Sequence, residues 1–176
     1  MTPKPPSDSR VSSVELVLPN DTNTLGNLMG GRLLHLMDII AAIAAQRHSG
    51  RTVVTASVDS VDFKSAIRLG EVVALTAVVN RAFTTSMEVG IEVFAENNRT
   101  GERRHCNSAY YTFVAVDTDG RPIPVSPTAP ETEDERARYE SAAQRRELRL
   151  LLAGRLALAD APHLLDYLGA PPPSDP

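Results

Sequence analysis

The chain has no tryptophan, one cysteine and no long uncharged apolar run, and each shortage closes off a class of protein. Cys106 alone cannot form an intramolecular disulfide, so the fold has to rest on its own core. The leucine-rich stretch at 148–158 is short and interrupted by Arg149 and Arg155, well below the roughly 18 uncharged apolar residues of a spanning helix. The opening MTPKPPSDSR lacks the apolar centre of a secretory signal, so the expected setting is the reducing cytoplasm, with no membrane partner. Basic charge is also scarce: 18 Lys and Arg against 22 Asp and Glu give a net charge of −4. That is the wrong sign for coating nucleic acid, and any anionic ligand must be gripped by a local cluster. No GxSxG elbow, GxxxxGK phosphate loop, GxGxxG turn or paired cysteines occur, which removes the usual hydrolase, nucleotide and zinc signatures.

What is present suits one domain: 176 residues, 42% of them hydrophobic, are enough to bury a core. Residues 1–10 are proline, serine and charge, expected to form a loose arm. VSSVELVLP alternates as a short strand, and the turn formers Asn20, Asp21, Asn23, Gly26, Gly30 and Gly31 precede a run over 33–45 that is apolar on nearly every face, as a helix inside a core would be. VVTASVDSVDF has period two with a phase slip between Val58 and Val61 that reads as a bulge or bend. GEVVALTAVVNRAF is apolar on both faces, as in a central strand. SMEVGIEVFAE sets Glu88, Glu92 and Glu96 against an apolar face, as in a half-exposed one, and RRHCNSAYYTFVAVD is a further long strand. The strand lengths match the helix, which predicts an α+β domain, a long central helix wrapped by a curved antiparallel sheet, over 11–127. Thr132 with Glu135 forms a capping box, so a C-terminal helix begins near Glu133 in an extension over 128–176 whose last residues, PPPSDP, read as a disordered end.

Several chemical signals fail on geometry. His105 and Cys106 are neighbours on a strand and point to opposite faces, His35 and His48 lack a third ligand, and Asp117, Asp119 and Gly120 lack the remaining calcium-loop ligands, so no metal site is expected. Two features survive. Gly30 and Gly31 stand where the helix begins, and either offer unblocked N–H groups to a carbonyl gaining negative charge or serve only to turn the loop. Asp38, among Leu36, Met37, Ile39 and Ile40, is either a carboxylate desolvated for general-base or nucleophilic work or a structural acid bonded to nearby backbone. Gly31 and Asp38 lie about 10 Å apart along one helix. A single reacting atom can meet both only if they come from different subunits, which predicts a homodimer with shared sites.

The succession PNDTNTLGNLMGGRLLHLMD, VVTASVDSVDF, TTSMEV, SAYYTFVAVD and GRPIPV, over roughly 11–127, resembles the hotdog-fold acyl-CoA thioester hydrolases of the cytosolic type. The resemblance implies a hotdog fold, edge-to-edge dimers commonly assembled as trimers of dimers, and hydrolysis of acyl-CoA to free acid and CoA, with CoA as part of substrate and product and no separate cofactor. It implies that Asn23 orients substrate or water, that Asp38 activates that water or attacks directly, and that the Gly31 amide, with Gly30, polarises the thioester carbonyl. Thr85 and Ser86 match positions lining the CoA arm. Lys64, Arg68, Arg81 and Arg104 lie near strand ends or turns where they could meet CoA phosphates, although ordinary solvated surface charge is the better account of any single one. MGG stands where FGG is frequent, and KSAIRLGE lacks a proline common in that loop. Two other readings compete. A non-catalytic acyl-CoA binding or sensing module would not need Asn23 together with Asp38, and an acyl-thioester dehydratase or isomerase of this fold expects a histidine and acid pair in the helix-loop region that is absent here.

Overall fold

The computed structural model describes residues 1–169, so the PPPSDP end expected to be disordered lies outside the described residues. The chain divides into two compact units, Met1–Ala129 and a second beginning at Pro130. In the first, strands β1 (Val11–Leu16), β2 (Thr52–Val58), β3 (Val72–Ala82), β4 (Ser86–Glu96) and β5 (Arg103–Val116) form one antiparallel sheet in the order β1-β3-β4-β5-β2. Helix α1 (Gly30–Ser49) packs on one face of it. This is the α+β layout expected.

The core follows from two periodicities meeting. Leu33, Met37, Ile40, Ala41 and Ala44 form the buried stripe of α1, and Val73, Leu75, Val79, Met87, Val89, Ile91 and Phe113 supply alternate positions of β3, β4 and β5. Alanines at 41, 44 and 45 let the helix backbone come close to the sheet. Met37 and Phe113 have almost no exposed surface, so truncating either to alanine is expected to destabilise the fold by about 2–5 kcal/mol. Gly50 ends α1 in the left-handed region at φ 64°, its N–H donating to the Gln46 carbonyl.

Five details depart from the sequence reading. The N-terminal segment is not a loose arm: Pro6–Ser9 make a 3-10 turn in which Pro6 and Ser9 are buried. The Ser9 hydroxyl accepts the Val79 N–H at 2.8 Å, and Lys4 bonds backbone to backbone with Pro127 and Ala129. Averaged composition misses such a segment because a few specific bonds order it. The phase slip after Val58 marks the end of β2, and the bulge falls earlier, between Thr55 and Ser57, where the register with β5 shifts. Glu88 is wholly buried, so β4 is half-exposed at its Glu92 end only. Helix α1 is not enclosed all round: Ile39 and Ile43 are 45% and 42% exposed, because the sheet covers one side only. The second unit holds α2 (Glu133–Leu152), with the capping box made by Thr132 and Glu135, and also a short α3 (Pro162–Gly169) that the sequence reading did not separate. The buried Glu147 joins the two by accepting the Leu164 N–H at 2.8 Å.

Candidate active site

Asn23 builds its own turn. Its Oδ1 accepts the N–H groups of Leu25 (2.9 Å) and Asn27 (3.2 Å), while its backbone N–H donates to the Asn27 carbonyl and its carbonyl accepts from Gly26. Gly26 takes the left-handed region at φ 72°, which the turn requires. This exposed turn is tied to the start of α1: the Met29 N–H donates to the Asp21 carbonyl, and Arg32 pairs with the Asp21 carboxylate at 2.9 Å.

The start of α1 offers bare donors. Leu33 makes the first intrahelical bond, to the Met29 carbonyl, and Met29 supplies no side-chain cap, so the N–H groups of Gly30 and Gly31 have no helical acceptor. The two glycines differ in what surrounds them. A Cβ at Gly30 would come 3.3 Å from Cζ of Phe63, a residue 52% exposed, so Gly30 makes room for that ring. A Cβ at Gly31 would meet nothing within 4 Å, and Gly31 has neither a left-handed φ nor a buried position. Nothing in the chain itself calls for glycine there.

Asp38 is half-buried, not sealed as its apolar neighbours suggested. It lies on the side of α1 that faces β2, where its Oδ1 accepts the Thr55 hydroxyl at 2.8 Å. Beneath it sits Tyr111 of β5, almost fully buried, whose hydroxyl donates at 3.4 Å to the Leu34 carbonyl. Burial, with a smaller push from the Asp38 charge, raises the Tyr111 phenol to about 12, so it stays protonated beside the carboxylate. Thr55 and Tyr111 were not singled out from sequence. A threonine in a strand is ordinary, and only the pairing of β2 with β5 under α1 brings these groups together.

The residues expected to hold CoA fall into two groups within one chain. Lys64 and Arg68 are exposed on the β2–β3 loop near the start of α1, bridged there by the Asn27–Arg68 pairing, and Arg104 lies at the same end of the sheet. Arg81, Thr85 and Ser86 cluster at the β3–β4 hairpin, at the other end of β3, roughly 30 Å away for an eleven-residue strand. Arg81 stacks over Phe83 there, at 5.7 Å from the ring centre. Among the described residues no three His, Cys, Asp or Glu side chains converge as a metal site would need, and no helix is long and apolar enough to cross a membrane.

A long helix on a five-stranded antiparallel sheet, with donors at its tip and a carboxylate two turns on, defines a hotdog-type domain. Residues 25–102 match the family described as the Thioesterase superfamily. The chain is 44% identical over 138 residues to a Bacillus subtilis protein described as an uncharacterized acyl-CoA thioester hydrolase, covering 78% of this chain and 80% of that one. Among solved structures, an apo hexameric acyl-CoA thioesterase superposes with a TM-score of 0.84 at 44% identity, over 87% of this chain and 98% of that one. The acyl-CoA hydrolase of Staphylococcus aureus, solved with butyryl-CoA, CoA and CoA disulfide, gives 0.80 at 35% identity over 95% and 99%. Variants of that enzyme with alanine in place of one aspartate, one asparagine and one threonine have also been solved. The chain belongs to the hotdog-fold acyl-CoA thioester hydrolase family.

Proposed function

We propose that the protein hydrolyses acyl-CoA to a free carboxylic acid and CoA in the cytoplasm, without a further cofactor, at sites shared between two subunits. The observation that carries this reading is the Asp38–Thr55 pair, an acid held open to solvent at 2.8 Å from a hydroxyl donor. The asparagine, aspartate and threonine replaced in the S. aureus hydrolase are spaced along its chain as Asn23, Asp38 and Thr55 are here. Thr55 fixes one carboxylate oxygen of Asp38 and leaves the other for water. That water's oxygen attacks the thioester carbonyl carbon while its proton passes to Asp38. The Gly31 N–H, in the positive field of the helix start, receives the developing oxyanion. Asn23 Oδ1 is occupied inside its turn, so its amide NH2 is the group that orients substrate. Collapse of the tetrahedral intermediate breaks the C–S bond, and Asp38 returns its proton to the departing thiolate.

The shared site follows from distance: Gly31 and Asp38 are about 10 Å apart along α1, so the oxyanion donors of one subunit serve the acid of another. β2 ends the sheet with a free edge, and Val54, Val58, Ile39 and Ile43 stand exposed beside it, a surface suited to a second copy. The hexameric relative supports a trimer of such dimers. Lys64 and Arg68 at one end, and Arg81, Thr85 and Ser86 at the other, then act on CoA from neighbouring subunits. Release of free thiol from acyl-CoAs of increasing length, measured for wild type, Asp38→Ala and Asn23→Ala, tests the reading. Turnover by wild type lost in both variants is expected; undiminished turnover in Asp38→Ala overturns the mechanism.

A further inference from the structure

Arg104 was placed among the cations for CoA, yet its guanidinium is spent inside the chain. Nη1 donates to Glu71 Oε1 at 2.8 Å and Nη2 to Glu71 Oε2 at 2.7 Å, a forked pair. Nη2 also donates to the Ala66 carbonyl at 2.7 Å, and Nε reaches the Ser65 hydroxyl at 3.3 Å. Glu71 in turn accepts the Arg68 N–H at 2.7 Å, so one ion pair gathers four points of the loop between β2 and β3. Three residues along β5, Asn107 donates to the Asp62 carbonyl at 2.5 Å. Two β5 side chains therefore fix a loop that belongs to no strand.

That loop bears on the proposed oxyanion site from three sides. Phe63 lays its ring on Gly30 at the helix start. The Ile67 carbonyl accepts the Leu28 N–H at 2.7 Å, and the Leu69 N–H donates to the Gly26 carbonyl at 2.9 Å, so the same loop holds the Asn23 turn. The Arg104 hydrogen bonds hold the Glu71 carboxyl below its ordinary value, so the pair stays ionised further into acid than a free glutamate would. A surface ion pair would contribute little. This one is partly buried, with side-chain exposure of 12% at Glu71 and 31% at Arg104, and the forked geometry adds to it.

We propose that the Arg104–Glu71 pair is a positioning device for the thioesterase reaction: it clamps the 62–71 loop so that Phe63 and the Asn23 turn hold the α1 tip in register with the thioester carbonyl. The inference rests on the thioesterase reading and assigns Arg104 a role other than phosphate binding. The two roles differ in what Glu71 does. As a phosphate ligand, Arg104 would be released by loss of Glu71, and KM would fall or stay level. As a clamp, Arg104 is useless without Glu71, and kcat suffers from either loss.

The test is steady-state hydrolysis of one acyl-CoA by wild type, Arg104→Lys, Arg104→Gln, Glu71→Gln and the double Arg104→Gln/Glu71→Gln, with elution volume recorded for each. A misplaced donor lowers turnover by up to roughly 10²-fold. The expectation is that Arg104→Gln and Glu71→Gln lower kcat by similar factors of that order with KM within about twofold, and that the double variant is no worse than either single, since removal of the second partner of a broken pair adds little. Arg104→Lys keeps the charge without the fork and falls between. A rise in KM for the Arg104 variants with Glu71→Gln unimpaired would overturn the proposal, as would additive losses or a change of assembly size. Wild type inactive on every acyl-CoA would instead overturn the underlying thioesterase reading.

Discussion

Replacing Gly31 by alanine separates a glycine kept for the fold from one kept for a ligand. The position is the second residue of α1, has helical backbone, and a Cβ there would touch nothing within 4 Å. Alanine in a helix is favoured over glycine by about 0.5–1 kcal/mol, so Gly31→Ala is expected to leave stability unchanged or raise the melting temperature by about 1–4 °C. Catalysis should move the other way. The added methyl leaves the N–H in place but stands beside it, so it acts by crowding the approach of the carbonyl; a carbonyl kept fully off that donor would lose up to roughly 10²–10³-fold in kcat. Gly30→Ala is the contrasting control, because its Cβ would meet the Phe63 ring at 3.3 Å and force the ring aside. The ring has to yield by a few tenths of an ångström, so the stability gain should be smaller than at Gly31 or absent, while activity falls. The assays are thermal melting with thiol release on the same preparations. If Gly31→Ala melts lower and loses activity in proportion, the glycine serves the turn; if it turns over like wild type, no thioester group passes through the space the methyl fills.

Thr55→Val should keep the fold and lower kcat by roughly 10- to 100-fold, since a hydrogen bond to a charged acceptor contributes about 1.5–3 kcal/mol; wild-type kcat in that variant would remove Thr55 from the mechanism. His48 is fully buried at the end of α1 with Nε2 at 2.8 Å from the Ser126 carbonyl, and burial lowers its pKa from 6.5. A lowered histidine is protonated first in the unfolded chain, so its contribution is complete above about pH 6.5 and is lost as pH falls toward the folded value. Melting curves from pH 7.5 to 5 should therefore slope downward for wild type and less steeply for His48→Gln; parallel slopes would contradict this. Val54→Glu, on the free edge of β2, should reduce the assembly seen by light scattering and reduce turnover with it, whereas a smaller but fully active species would refute the shared site.

The fold was legible where period and punctuation agree. The apolar run over 33–45, the doubly apolar β3 and the Thr132–Glu135 box each announce their element, because burial on a helix stripe, on two strand faces or at a helix cap leaves a local mark. The N-terminal turn left none, since it depends on Ser9 meeting Val79, seventy residues away. Glu88 read as solvent-facing for the same reason: alternation tells which face a residue takes, not whether that face is covered. At the site, Asp38, Gly31 and Asn23 could be picked out because each is unusual for its surroundings. Thr55, Tyr111 and the Arg104–Glu71 clamp could not, as their meaning lies in pairings across the sheet that no spacing encodes. Burial of Asp38 was overestimated because apolar sequence neighbours on a helix point in different directions, and one side of α1 is open.

Subunit mixing puts the central claim, a thioester held by one chain's helix tip and attacked through another chain's Asp38, to its most direct trial. Asp38→Ala and Asn23→Ala subunits, each inactive alone, are unfolded together, refolded and assayed for thiol release. If every site joins Asn23 of one chain to Asp38 of its partner, half the dimers are mixed and each has one intact site, so about a quarter of wild-type turnover should return. No recovery above the separate variants, with mixed assemblies demonstrated, would place the whole site within a single chain.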